Sequence, residues 1–174
     1  MLTEAFRGQV YQKVDSKARV SIPAAFRRIL DAEDPPSAEF PRTRMVMVFG
    51  GRGRTFVECY SKAGADALAR SIDLIPEGTR DRLLAEMELI AQSIVVEIDD
   101  DGRIVMPPDV REKLKIGADD LAAGAEAAFV GATNRFKLYR RSDYTAVLTE
   151  LLAAQGDDNG EDILATVSRY KTGT

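Results

Sequence analysis

VDSKARVSIP, residues 14–23, is written again 84 residues later as IDDDGRIVMP, residues 98–107. Each copy has an Asp, an Arg four residues on, and a Pro four beyond that. The correspondence extends outward on both sides. Val10 answers Ile94, and Val14 answers Ile98. Val20 and Ile22 answer Ile104 and Met106, while Phe26, Arg27 and Leu30 answer Val110, Arg111 and Leu114. Farther on the offset falls to 79, where Val57-Glu58-Cys59-Tyr60 lies over Phe136-Lys137-Leu138-Tyr139. The first copy therefore holds about five extra residues, expected in the Pro-rich stretch DAEDPPSAEFPR, 31–42.

Each copy reads as strand, turn, strand, helix and hairpin. Val10 and Val14 share one side of an extended segment, as Ile94, Val96 and Ile98 do in the second copy. A short polar turn follows, Ser16-Lys17-Ala18 or Asp100-Asp101-Gly102. Val20/Ile22 and Ile104/Met106 then alternate inward. Pro23 and Pro107 suit a first helical turn, where a missing N–H costs little. Phe26, Ile29 and Leu30 form an apolar helical face. RMVMVF…RTFVECY and EAAFVG…RFKLY complete the copies as hairpins. About fifty residues of this kind bury too little apolar surface to be stable alone. Two fused copies that pack together are expected to form one closed β-barrel with a pseudo-twofold axis, which also removes sheet edges.

Between the copies, 62–75 and 81–93 read as helices broken at Pro76-Glu77-Gly78-Thr79. The apolar residues of 83–91 belong either to the core or to a subunit interface. SDYTAVLTELLAA, 142–154, reads as a helix capped by Ser142. The tail beyond it begins as a polar break, with room for one short helix at 161–171. The expected organisation is a first repeat at 6–62, connecting helices at 63–93, a second repeat at 94–144 and a C-terminal helix and tail at 145–174.

Composition closes off much chemistry. The 174 residues contain no His and one Cys. That removes His-activated nucleophiles and the common zinc ligand sets. Cys59 reads as a small buried residue. Glu97-x-Asp99-x-Asp101-Gly102 imitates the opening of a calcium loop, but its twelfth position is Pro108 and its flanks read as strands. FGGRGR, 49–54, lacks phosphate-loop spacing and reads as a hairpin loop, although Arg52 and Arg54 could touch phosphate. No apolar run reaches the ~18 residues of a membrane span, and MLTEAFRGQV has no secretory apolar region. A cytoplasmic protein with no cofactor, no membrane and no small-molecule substrate is expected.

Net charge is −4, unpromising for a nucleic-acid binder. Its distribution says more. Residues 1–60 hold 10 Lys+Arg and 7 Asp+Glu, and residues 1–28 hold 6 and 2. A local basic face on an acidic body is an electrostatic footprint for DNA. Arg7, Lys13, Lys17 and Arg19 lie on the first strands or their turn. A guanidinium bonds guanine O6 and N7 together in the major groove, and Lys neutralises phosphate. Asp15…Arg19 and Asp99…Arg103 each span a tight turn, with the Asp accepting turn amides and the Arg leaving outward. The acidic second turn makes Arg103 auxiliary to Arg19. A protein-binding scaffold, an antitoxin and a metal-dependent enzyme are the rival readings.

FRGQVYQKVDSKARVSIPAAFRRIL, DDDGRIVMPPDVREKLKI and VGATNRFKLYRRSDY resemble, in order, the segments of MraZ proteins. The resemblance covers nearly all of residues 6–145 and rests chiefly on the paired D-x-x-x-R turns. It implies an α+β, β-rich fold of two SpoVT-AbrB repeats, a swapped-hairpin barrel with flanking helices. It also implies a bacterial DNA-binding transcriptional repressor, cytoplasmic and nucleoid-associated, that assembles into a homo-oligomeric ring. Its partner would be double-stranded promoter DNA carrying short G-rich direct repeats, upstream of its own operon in the division and cell wall cluster. The family's turn residues carry over to Asp15, Lys17, Arg19, Asp99 and Arg103. One departure stands out: the usual Gly before the first Arg is Ala18. That turn either uses negative φ or carries strain.

Overall fold

A computed structural model describes residues 4–155 and 162–171. In chain order the elements begin with β1 (Gln9–Lys13), β2 (Arg19–Ser21), α1 (Ala24–Glu33), β3 (Arg44–Val48), β4 (Phe56–Ser61) and α2 (Lys62–Asp73). Next is α3 (Arg80–Ala85), which runs into a π-helical stretch, Glu86–Ala91. Then come β5 (Ser93–Glu97), β6 (Arg103–Val105), α4 (Pro108–Lys113), α5 (Ala118–Ala123), β7 (Glu126–Gly131), β8 (Phe136–Arg140), α6 (Arg141–Gln155) and α7 (Ile163–Arg169). The chain divides into two compact units between Arg141 and Ser142.

The first unit holds a six-stranded antiparallel sheet in the order β1-β7-β8-β4-β3-β5, and a separate two-stranded ribbon of β2 and β6. Pairing crosses between the copies. The first strand of copy one, β1, lies along the hairpin strand β7 of copy two, and β5 of copy two lies along β3 of copy one. Arg19 faces Val105, and Ser21 faces Arg103. A shift of 84 residues exchanges these two pairs. Across β4 and β8, Val57 faces Leu138 and Cys59 faces Phe136, and a shift of 79 exchanges those. One pseudo-twofold relation therefore passes through both strand pairs.

Two expectations need correction. The sheet is open: β1 and β5 end it without pairing to each other, and β2 with β6 stands outside it. Among the described residues no closed barrel forms, and the three-residue strands β2 and β6 pair with each other. The extra residues of copy one are also divided. Val48 and Val130 hold equivalent places against Ser93 and Gln9, an offset of 82. Two extra residues thus precede β3, and three lie in the β3–β4 turn. The Pro-rich stretch is nearly matched in length because copy two builds α5 there. The sequence reading missed that helix. Its start is tied by Gly117 N donating to Asp120 Oδ2 at 2.9 Å, and Gly124 ends it at φ +81°.

The core joins the copies. Val14 and Ile98, Val20 and Ile104, Ile22 and Met106, and Leu30 and Leu114 are all buried. Phe136 of β8 lies 4.9 Å from Phe26 of α1 and 5.3 Å from Phe6, ring centre to ring centre. β3 is an uninterrupted apolar run because both its faces are covered. Met45 and Met47 enter the main core, while Val46 and Val48 pack with Tyr60 beneath Ala65 and Leu68 of α2 and Leu89 of the π-helical stretch. Continuous apolar strands are the mark of such two-sided burial.

Ser61 caps α2, its Oγ accepting from Gly64 N at 2.9 Å, and Thr79 caps α3. Arg82 ties the two helices together. Its Nη1 donates to the carbonyls of Ile72 and Ile75, its Nη2 to Asp73 and its Nε to Glu86. Leu83, Leu84, Met87 and Ile90 are exposed, while Leu89 packs against the Val46, Val48 and Tyr60 cluster, so this stretch buries one face and leaves its other apolar residues open. No helix among the described residues is long and apolar enough to cross a membrane. In the second unit, α7 occupies the place expected for a short tail helix, with Asp162 accepting from Leu164 N. The polar break before it lies mostly outside the described residues.

Candidate nucleic-acid interface

The two D-x-x-x-R segments fold into nearly identical turns. Asp15 N donates to Arg19 O at 3.0 Å, and Ala18 N donates to Asp15 O at 2.9 Å. Asp15 Oδ1 accepts from the amides of Lys17 and Arg19 at 2.9 and 2.8 Å. In copy two, Asp99 N donates to Arg103 O at 2.8 Å, and Asp99 Oδ1 accepts from the amides of Asp101 and Arg103 at 2.9 Å each. An Asp in this place closes a turn with its own side chain. The Arg19 amide is the main cause that holds the Asp15 carboxyl below its ordinary 3.8; desolvation opposes it, and the Arg19 guanidinium and Lys17 amide add to it. The Arg103 amide does the same for Asp99. Both carboxylates are therefore charged at neutral pH.

Each turn is stitched to the opposite copy. Met106 N donates to Ala18 O at 2.7 Å, and Ile22 N donates to Gly102 O at 2.9 Å. Those carbonyls are aimed by left-handed backbone: φ is +60° at Ala18 and +75° at Gly102. Of the two possibilities left open for Ala18, strain is the one observed. It costs roughly 1–2 kcal/mol. Gly102 has a second constraint, since a Cβ there would stand 1.8 Å from Arg27 Nη1. Gly102→Ala is expected to lower the unfolding free energy by about 1–2 kcal/mol from backbone strain, and more if Arg27 cannot shift. Ala18→Gly is expected to change it by less than about 1 kcal/mol, because relief of strain is offset by a lost methyl and a freer unfolded chain. Urea midpoints would compare the two, and equal effects would refute this account of the turns.

The arginines differ in what holds them. Arg19 Nε donates to Asp15 Oδ2 at 2.7 Å, and among the described residues neither Nη group of Arg19 has a hydrogen-bond partner. Arg103 Nε lies 3.5 Å from Asp99 Oδ2, and its Nη2 donates to Asp101 Oδ2 at 3.0 Å. The difference follows from one position: Lys17 in copy one stands where Asp101 stands in copy two. Arg19 is thus aligned from behind with its fork open, while the fork of Arg103 is half occupied. Asp100 also holds Arg42 at 3.3 Å.

Val20 and Ile104 point inward and are each 1 % exposed. Arg19, Ser21, Arg103 and Val105 therefore share the outer face of the ribbon. Arg19 and Arg103 are diagonal neighbours, about 7–8 Å apart in an antiparallel ladder. Exposed Lys17 lies in the first turn, and exposed Lys13 ends β1 two residues before Asp15. Lys13, Asp15, Lys17 and Arg19 thus follow one another at one end of β1, with the Lys13 side chain running over Gly124, and Asp99 and Arg103 lie at the other end of the ribbon. Arg7 does not join them. It lies before β1, beside the bridge of Phe6 to Thr133, roughly 20 Å of extended chain from Lys13.

Sequence reasoning passed over Arg27. Its guanidinium lies over the second turn, against Gly102. The signal was present in the repeat: Arg27 and Arg111 correspond, a charge kept on an otherwise apolar helical face. Of the other motifs, Cys59 is fully buried, and burial pushes its thiol far up. Arg54 lies close enough to Glu58 to favour its charged form; burial opposes ionisation there, but the Tyr60 hydroxyl and Arg135 outweigh it. The calcium-like run has its Asp99 carboxylate spent on turn amides.

The geometry has counterparts among known proteins. The family model for the MraZ protein matches residues 89–164. A protein named transcriptional regulator MraZ from Cereibacter sphaeroides (strain ATCC 17029) is 44% identical over 160 residues, covering 90% of this chain and 94% of that one. One of the same name from Ruegeria pomeroyi is 36% identical over 154 residues, covering 88% and 87%. Another, from Rhodospirillum rubrum, is 32% identical over 136 residues, covering 77% and 78%. The name is that of a regulator, a non-enzymatic function. With likeness at this level over most of the chain, the chain belongs to the MraZ family.

Proposed function

We propose that this protein is a sequence-specific DNA-binding transcriptional regulator, and that the outer face of the β2–β6 ribbon with the turn at 15–18 is its reading surface. One observation carries this: Arg19 is aligned through Nε yet keeps its fork free, beside Lys17 and Lys13. A two-stranded ribbon fits the major groove, where such a fork reads guanine O6 and N7. Lys13 and Lys17 serve phosphate. Arg103 and Arg27 assist from the second turn, and Asp15 and Asp99 shape the turns. Arg7, apart from the tip, adds positive charge alone. The function needs no catalysis and no cofactor.

The finer reading is a repressor of its own operon in the division and cell wall cluster, binding short G-rich direct repeats as a homo-oligomeric ring. The exchange of first strands between the hairpins of the two copies supports a swapped-hairpin pair of SpoVT-AbrB repeats at 6–62 and 94–144, joined by the helices of 63–93. Exposed Leu83, Leu84, Met87 and Ile90 support an interface between copies of the chain. A ring that presents several turns to tandem sites gains ~10²–10⁴ in avidity when the geometries match. This reconciles an acidic protein with DNA: each contact is small, local and repeated. In this reading the protein works in the cytoplasm, at the nucleoid.

A gel shift with the DNA just upstream of its own gene tests the proposal. Wild-type protein should shift it, less so as salt rises. Lys17→Ala should weaken all sequences alike and lower the salt slope by about 1 per contact. A changed base preference would remove Lys17 from the phosphate contacts, and salt-independent or absent retention would favour a protein-binding scaffold.

A further inference from the structure

The outer face of the ribbon has four corners, and the two copies disagree at one pair of them. Arg19 and Arg103 correspond across the repeat. The other two corners are Ser21 in copy one and Val105 in copy two. Pairing then crosses them: Val105 stands directly opposite Arg19, and Ser21 opposite Arg103. Val105 is 61 % exposed, a β-branched apolar side chain on a face otherwise made of Arg and Ser. The ladder needs no large side chain at this place, since the first copy manages with Ser21.

Directly opposed residues in an antiparallel pair have Cβ atoms about 4.5–5.5 Å apart. Val105 therefore projects beside the root of the Arg19 side chain, whose free fork extends beyond it. In the major groove, guanine offers O6 and N7 to such a fork, and thymine offers its C5-methyl group to an apolar side chain. We propose that Val105 is a specificity-determining residue that packs on the methyl group of a thymine one base step from the guanine read by Arg19. This rests on the reading of the ribbon as the DNA-facing surface, which the positive charge of Lys13, Lys17 and Arg19 favours. The corner opposite Arg103 carries the Ser21 hydroxyl, which accepts and donates and so discriminates little. The two halves of the ribbon then read unequal steps, and the bound sequence has a direction.

The test is selection from a randomised pool of duplex DNA by the full-length wild-type protein, Val105→Ser and Arg19→Ala. Val105→Ser copies the residue that the fold already accepts at position 21. Wild type should enrich guanine with an adjacent thymine. Val105→Ser should keep the guanine and lose the thymine preference. In the enriched duplex, uracil in place of that thymine removes only the methyl group. It should weaken wild type by about fourfold per contact, the factor for burying one methyl, and leave Val105→Ser unchanged. Wild type indifferent to uracil, or Val105→Ser with its thymine preference intact, would overturn the proposal while Arg19-dependent guanine enrichment still upheld the DNA-binding reading. Enrichment of no sequence by wild type would overturn both.

Discussion

Arg19→Ala is expected to abolish specific DNA binding and to leave the fold as it is. A bidentate contact from Arg to guanine contributes about 1–3 kcal/mol of discrimination, a factor of roughly 5–150 for a single contact. Several subunits on tandem sites multiply that loss. The cost to stability is small by comparison. The side chain of Arg19 is 34% exposed, and its pair with Asp15 is a surface pair, worth ~0–1 kcal/mol. Thermal unfolding should therefore shift little while the gel shift disappears. Arg19→Lys should recover general affinity without specificity, since an ammonium keeps charge but lacks the fork. Arg103→Ala should cost less, because Asp101 already occupies part of that guanidinium. An Arg19→Ala protein that binds its promoter as wild type does would remove the first turn from the site.

Phe136→Ala should do the opposite, breaking the fold without touching the ribbon. Phe136 is fully buried and contacts Phe6, Phe26 and Phe129 at 5.3, 4.9 and 6.0 Å. Truncating a buried Phe costs about 3–5 kcal/mol in transfer and cavity energy, against a total stability of about 5–15 kcal/mol. Its neighbours matter more than its size. Phe26 belongs to copy one and Phe136 to copy two, so this residue joins the repeats. Denaturant unfolding should lose both hairpins in a single transition at a much lower midpoint. Separate transitions for the two copies, or a loss below about 1 kcal/mol, would mean that the repeats do not share one core.

The arrangement also explains how fused repeats tolerate divergence. Positions facing inward are constrained in both copies, as the burial of Val20 with Ile104 and of Leu30 with Leu114 demonstrates. Outward positions are mixed: Arg19 and Arg103 are the same in both copies, whereas Lys17 stands where Asp101 stands, and the Arg19 fork is free among the described residues while Asp101 holds part of Arg103. On the proposed DNA-binding reading, a single subunit presents one strong and one weak contact from the same structural unit.

By itself the sequence determined the repeat, the turns and the elements that follow them. Local chemistry suffices for these. Asp at the head of a turn, Gly or Ala at its left-handed residue and Pro before a helix act within a few residues. The family likeness was equally legible, because the spacing from Asp to Arg to Pro is recorded in the order of residues. Tertiary structure alone decided how those pieces meet. That β1 lies along β7 rather than β3, that β2 and β6 form a ribbon outside an open sheet, and that Arg27 rests on Gly102 all depend on contacts between residues far apart in the chain. The same holds for the contrast between Arg19 and Arg103. Both follow the same motif, but whether a guanidinium is free depends on which side chain folds back to meet it, and that is settled only in three dimensions.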